Sequence, residues 1–106
     1  MNESSIYNII HHADVSEKEI ECYLCRRTKE HGWPCLKYSN PNMIGYPDRL
    51  IVLPSGNVVW VELKSLRRRP SRIQLARIGE LRRIGHRVEV IDSKAGIDEL
   101  INSLTL

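Results

Sequence analysis

The sequence predicts an α/β domain, a small mixed central sheet flanked by helices in the order α-β-β-β-α-β-α. Three observations carry that prediction. Stretches with helical spacing alternate with short apolar stretches that read as strands. Two of those strands, Leu50–Leu53 and Val58–Lys64, are joined by Pro54-Ser-Gly-Asn57, a hairpin signature. A further apolar stretch, Val88–Ile91, follows the hairpin after one helix, and such a strand–helix–strand step calls for parallel pairing with a right-handed crossover. With 106 residues there is room for one domain.

Residues 1–15 read as an N-terminal extension to a single domain over 16–106, with Ile6, Ile9 and Ile10 available to pack on the domain or on a second subunit. Ser16-Glu-Lys-Glu19 is a capping box, which predicts a helix start there. That helix carries Ile20, Leu24 and Thr28 on one face and stops near Gly32. Cys35–Ser39 alternates as a strand, and 40–47, with Asn, Pro and Gly, reads as a loop. After the hairpin comes the basic loop Arg67-Arg-Arg-Pro70. Ser71 then caps a helix whose apolar residues are Ile73, Ala76, Leu81 and Ile84, and Gly85 ends it. The last helix, Gly96–Leu104, spaces Ile97, Leu100, Ile101 and Leu104 on one face.

Composition excludes several classes. The 42% hydrophobic and 27% charged content is that of an ordinary soluble domain, and no apolar run approaches the ~20 residues of a membrane span. The N-terminus MNESSIYNII lacks a basic segment followed by a long apolar one, so a cytoplasmic location is expected. Cys22, Cys25, His31 and Cys35 invite a thiol-metal reading, but the Cys22–Cys25 pair falls inside a helical pattern, which favours partly buried free thiols. Charge is unevenly spread. Arg67 to Arg87 holds eight arginines and one acid, Glu80, a local net of +7; the chain's overall +3 leaves −4 elsewhere. All eight are Arg and none is Lys, which suits forked contacts to phosphate oxygens better than plain solubility.

The strand Val58–Lys64 poses the chemical question. Both its faces are apolar until Glu62 and Lys64, which point the same way. Charges at the end of a buried strand need a partner or a metal. An ion pair between the two would satisfy them. Hairpin pairing, however, brings Asp48 to the same sheet edge, so two carboxylates converge beside one lysine. Hard oxygen ligands with open positions suit Mg²⁺ or Mn²⁺, and the Leu63 backbone carbonyl is a third candidate ligand, making Asp48, Glu62 and Leu63 the expected metal set. Lys64 fits a cation that orients a water and stabilises developing charge.

Pro47-Asp48 followed by Glu62-Leu63-Lys64 resembles the PD-(D/E)XK nuclease signature. The wider set is similar to the VRR-NUC (virus-type replication-repair nuclease) family in its short stand-alone, phage-like form: Gly45-Tyr-Pro-Asp48-Arg49, Val61–Lys64, Gln74 opening a helix, and Leu81–Gly85 before a Val-rich strand. It covers roughly residues 16 to 104. The resemblance implies a restriction-endonuclease-like fold and metal-dependent cleavage of DNA phosphodiesters. It maps Asp48, Glu62 and Lys64 onto the catalytic motif and places Gln74 near the scissile phosphate. It also implies an acid from the first helix. Glu21 is preferred, because it shares a face with Leu24 and Thr28; Glu17 is second, since a place in the first helical turn would already explain it.

Arg67, Arg68, Arg69 and Arg72 are placed to hold phosphates flanking the cut; Arg49 joins them in the DNA-binding set, although strand alternation points it to the face opposite Asp48. Such contacts position DNA without reading sequence. The expected function is a structure-selective, metal-dependent endonuclease on branched DNA; because stand-alone members of the family it resembles are similar to Holliday junction resolvases, which act as homodimers, the resemblance implies a homodimeric resolvase. The alternatives are a monomeric flap or nicking nuclease, and a catalytically silent DNA-binding accessory module.

Overall fold

The computed structural model describes residues 3–105, with side chains from Glu17 onward. Its elements are α1 (Glu3–Glu30), β1 (Cys35–Lys37), β2 (Arg49–Val52), β3 (Val58–Leu63), α2 (Arg72–Arg83), β4 (Arg87–Ile91) and α3 (Lys94–Leu104). This is the expected mixed α/β order, a four-stranded sheet with three helices.

α1 corrects the predicted start at Ser16. It begins at Glu3 and continues to Glu30. Nothing between those residues is Pro or Gly, so the capping signature at Ser16 has no breaker before it to enforce a start. The expected stop is present: Gly32 adopts φ 73°, its N–H donates to the Lys29 carbonyl, and the Trp33 N–H donates to the Thr28 carbonyl. That pair of bonds is a Schellman motif, which needs a residue at ease with positive φ.

The strands lie in the order β1-β2-β3-β4. β1–β2 and β2–β3 pair antiparallel, whereas β3 and β4 run parallel from Val59↔Arg87 to Leu63↔Ile91. β1 stops two residues short of the predicted Ser39. The Asn40 side chain draws the chain into a turn there, accepting from the backbone N–H groups of Asn42 and Met43 at 3.0 and 3.1 Å.

The sheet buries unlike faces. Val59, Val61 and Leu63 join Ile51 and Ile91 against Ile20 and Leu24 of α1 and Ile97, Leu100 and Ile101 of α3. The other face packs Trp60 and Val88 against Ile78 and Leu81 of α2, with Tyr46 beside them. This corrects the predicted stripe on α2, where Ile73 and Ile84 are exposed and Ala76 with them. The face on the sheet is Gln74, half-buried, then Ile78 and Leu81, both buried, at the i, i+4, i+7 spacing of one helical face. Ile84 is the C-terminal cap of α2 and belongs to no helical face.

Candidate active site

The β2–β3 register sets the site. Arg49 pairs with Val61, so the next step outward places Asp48 opposite Glu62. Cross-strand partners share a face. Arg49 therefore faces α1, as Val61 does, while Asp48 and Glu62 turn to the α2 side at the sheet edge. Asp48 is exposed, and its backbone carbonyl accepts from the Tyr38 N–H at 2.7 Å, which fixes the chain entering β2.

Glu62 is 1% exposed. Its Oε1 accepts from the Gln74 side-chain amide at 2.9 Å and lies 3.4 Å from Lys64 Nζ. The predicted ion pair with Lys64 thus exists, yet it uses only one carboxylate oxygen. The other, Oε2, is buried with no hydrogen-bond partner. Burial first, and then the charge of Asp48, push the Glu62 carboxyl above its ordinary range; Lys64 and, more weakly, the backbone of Asp48 oppose both. A buried, partnerless carboxylate oxygen facing a second carboxylate is a place where a cation fits. Among the described residues no three His, Cys, Asp or Glu side chains gather closely enough to hold an ion alone. An ion here would draw first on Asp48 and Glu62, the two carboxylates that the β2–β3 register brings to this edge.

Gln74 reaches Glu62 through the packing of α2. Ile78 and Leu81 hold that helix on the sheet, and one further turn toward its start carries Gln74 over the strand end. The residue also closes a capping box: its Oε1 accepts from the Ser71 N–H at 2.8 Å, while Ser71 Oγ accepts from the Gln74 N–H at 3.3 Å. The Ser-x-x-Gln spacing made that box legible, although only Ser71 was read as a cap. The amide is clamped at both ends, its oxygen by the helix start and its nitrogen by Glu62.

Glu17 and Glu21 line a cleft of about 310 Å³ together with Lys18, Asp48 and Leu63. Both sit on the α1 face that buries Ile20, Leu24 and Thr28. The reason for ranking Glu17 second falls away, because α1 begins at Glu3 and Glu17 is far from its first turn. Glu21, by contrast, has acquired a partner: Arg49 Nη2 lies 3.6 Å from its Oε1. Arg49 also donates to the Cys35 carbonyl at 3.3 Å and keeps only 14% of its side chain exposed. It is turned into the protein, away from the open arginines.

Arg67, Arg68, Arg69 and Arg72 are all exposed, and among the described residues none of them forms an ion pair. Arg67 holds φ 67°, an unusual conformation for a side-chain-bearing residue, and the Arg68 N–H donates to the carbonyl of buried Ser65 at 3.0 Å. The basic loop is therefore a fixed turn directly after the strand that carries Glu62. The cysteines offer no competing centre. All three are free thiols, and burial, with Cys25 alongside, pushes Cys35 up to about 11. No described helix is long and apolar enough to cross a membrane.

No family model matches the chain. A protein of Acyrthosiphon pisum secondary endosymbiont phage 1, named "Putative nuclease p44", is 35% identical over 80 residues, which is 76% of this chain and 86% of that protein. A solved structure named "VRR_NUC domain" superposes with a TM-score of 0.77 at 31% identity, over 82% of this chain and 95% of that one.

Proposed function

The chain belongs to the VRR-NUC family of nucleases, and on that footing we propose that it is a Mg²⁺- or Mn²⁺-dependent endonuclease that cuts branched DNA as a homodimer, a Holliday junction resolvase. The observation that carries the reading is the end of β3, where buried Glu62 keeps an unpartnered oxygen beside Asp48, Lys64 and Gln74.

The geometry supports the following roles. Asp48, Glu62 and the Leu63 carbonyl would hold the ion. When bound, it supplies neutralisation of charge at the scissile phosphate and acidification of a water. Lys64, anchored by Glu62, presents its ammonium to the phosphate and stabilises charge that develops there. Gln74 fixes the Glu62 carboxylate so that its second oxygen stays free for the ion. The helix acid steadies the attacking water; Glu17 is the better placed of the two, since Arg49 already engages Glu21. Arg49 acts as a positioning residue behind Glu21. Arg67, Arg68, Arg69 and Arg72 grip the flanking backbone without reading sequence. A four-way junction has two-fold symmetry, and paired cuts require two sites, which a homodimer supplies.

The test is cleavage of a four-way junction beside linear duplex and flap DNA, with Mg²⁺, with Mn²⁺ and with EDTA. Symmetric cuts in the junction, lost in EDTA, are the expected result. Cuts in flaps alone would keep the nuclease and discard the resolvase. Salt-sensitive binding without cutting would point to an accessory DNA-binding module.

Gln74→Glu gives a second expected outcome. A glutamate at this position still serves the capping box, so the start of α2 is expected to hold, although the added charge beside buried Glu62 lowers the melting temperature at neutral pH. The donor to Glu62 is lost, however, and a like charge takes its place. Glu62 then ionises at higher pH still. The acidic limb of the pH–rate profile is expected to move to higher pH, with a rate loss of about ten- to a hundredfold at neutral pH, the usual scale for a residue supporting a metal ligand. An unmoved limb would separate Gln74 from Glu62 ionisation.

A further inference from the structure

Asp48 lines two clefts. One holds Glu17, Glu21 and Leu63; the other, on its far side, is formed by the chain from Lys37 to Tyr46 and has a volume of about 260 Å³. Nothing in the roles above uses the second cleft. Tyr38 and Tyr46 give it aromatic walls, Lys37 a cation, and Ser39 and Asn40 polar edges. The sequence offered one signal for it, the two tyrosines that bracket the loop leading into Asp48.

The cleft is built in advance. The Tyr38 N–H bond to Asp48 ties its base, the Asn40 side chain donates to the Tyr38 hydroxyl at 3.1 Å, and Arg77 donates to the Ile44 carbonyl at 3.0 Å. Gly45 lies so close to Ile73, with φ 99°, that no other residue fits without displacing that side chain. Tyr38 meets Tyr46 and Trp60 at interplanar angles of 86° and 84°, so neither ring lies parallel over it. Its neighbours hold the ring still while leaving parallel stacking unused.

We infer that this cleft receives an unpaired nucleobase adjoining the scissile phosphate, stacked against Tyr38. The inference rests on the nuclease reading and extends it to the source of structure selectivity. The chemistry matches in three respects. The volume suits one aromatic heterocycle rather than a longer ligand. Half-buried tyrosine is a stacking platform that tolerates any base. Shared Asp48 places the occupant immediately beside the phosphate being cut, and Lys37 at the rim offers a cation to the backbone on the other side. Only DNA with an unpaired or easily unstacked base near the cut could fill the cleft without the cost of opening a duplex.

The experiment has two arms. In the first, Glu62→Gln protein binds branched DNA carrying 2-aminopurine at each position around the mapped cut. A fluorescence change confined to one flanking position, and abolished by adding Ser39→Trp to fill the cleft, is expected. In the second, Ser39→Trp and Tyr38→Leu are expected to lower kcat/KM on branched DNA about tenfold, whereas Tyr38→Phe keeps the ring and the rate. Ser39 is exposed, so Ser39→Trp should melt as the parent does, which guards against loss through misfolding. Wild-type rates in both Ser39→Trp and Tyr38→Leu, with no position-specific signal, would overturn the inference while leaving the nuclease intact. A parent protein that cuts no DNA at all would overturn both.

Discussion

Glu62→Gln is expected to end cleavage and, in the metal-free protein, to raise the melting temperature. The two effects have one cause. Glu62 is 1% exposed, one of its oxygens has no partner, and its carboxyl is held above the ordinary range by burial and by Asp48. A group with a raised carboxyl pKa favours its protonated form in the fold. Below the ordinary glutamate range both folded and unfolded chains are protonated, and no linkage arises. As pH climbs from there through the raised value, the folded state alone still holds the proton, and stability is lost. Above it the whole penalty is in force. Glutamine carries no such penalty and can still accept from Gln74. The expected gain at neutral pH is about 1 kcal/mol, or roughly 4–8 °C for a domain of this size. Partial loss of the Lys64 contact is a small offset, because Lys64 retains 18% side-chain exposure and reaches water.

Asp48→Asn separates the two effects. Asp48 is exposed and its charge is only the second cause of the Glu62 shift, after burial, so Asp48→Asn is expected to abolish cleavage while raising metal-free stability by less than Glu62→Gln does. Each variant is expected to lose on the order of a thousandfold or more in rate, since an ion at a phosphoryl centre contributes several kcal/mol. Calorimetry with and without Mg²⁺ completes the comparison. Only the wild type should melt later as Mg²⁺ is added, because only it binds the ion in the folded state. A Glu62→Gln protein less stable than wild type without metal would refute the view that Glu62 is kept at a cost to the fold.

The site was more legible in the sequence than its supports. Asp48, Glu62 and Lys64 could be brought together from strand alternation and one hairpin, because those rules act over a few residues. Gln74 needed the resemblance, since its contact with Glu62 depends on which face α2 buries. That face was misread: Ile73 and Ile84 look as apolar as Ile78, and only packing decides among them. The start of α1 was likewise invisible, for a capping signature holds the same residues whether or not the helix runs through it. Arg49 illustrates the third limit. Alternation gave its direction correctly, but that this direction ends at Glu21 and the Cys35 carbonyl is a matter of tertiary contact. The Tyr38–Tyr46 cleft went unread for the same reason.

Replacing Arg67, Arg68, Arg69 and Arg72 together by glutamine is expected to weaken DNA binding steeply at low salt and hardly at all at high salt. None of the four forms an ion pair among the described residues, and all are exposed, so the fold has little to lose. Each phosphate contact releases counterions worth about 0.9 in the slope of log K against log salt for duplex DNA, and about 0.7 for single strands. Four lost contacts should therefore flatten the slope by roughly 3 to 4. The loss should be uniform across sequences, because phosphate contacts carry no base information. Cleavage at saturating DNA should survive far better than binding, since Asp48, Glu62, Lys64 and Gln74 are untouched. Substituting Arg49 by glutamine should behave oppositely: the salt slope should hold, because that guanidinium faces Glu21, while kcat falls as Glu21, which lines the cleft with Glu17 and Asp48, is left there without its partner. Salt titrations of binding, run beside single-turnover cleavage, resolve the two patterns. An unchanged slope in the quadruple variant would remove the basic turn from the DNA path. The local net charge of +7 would then have to be traced to Arg77, Arg82, Arg83 and Arg87.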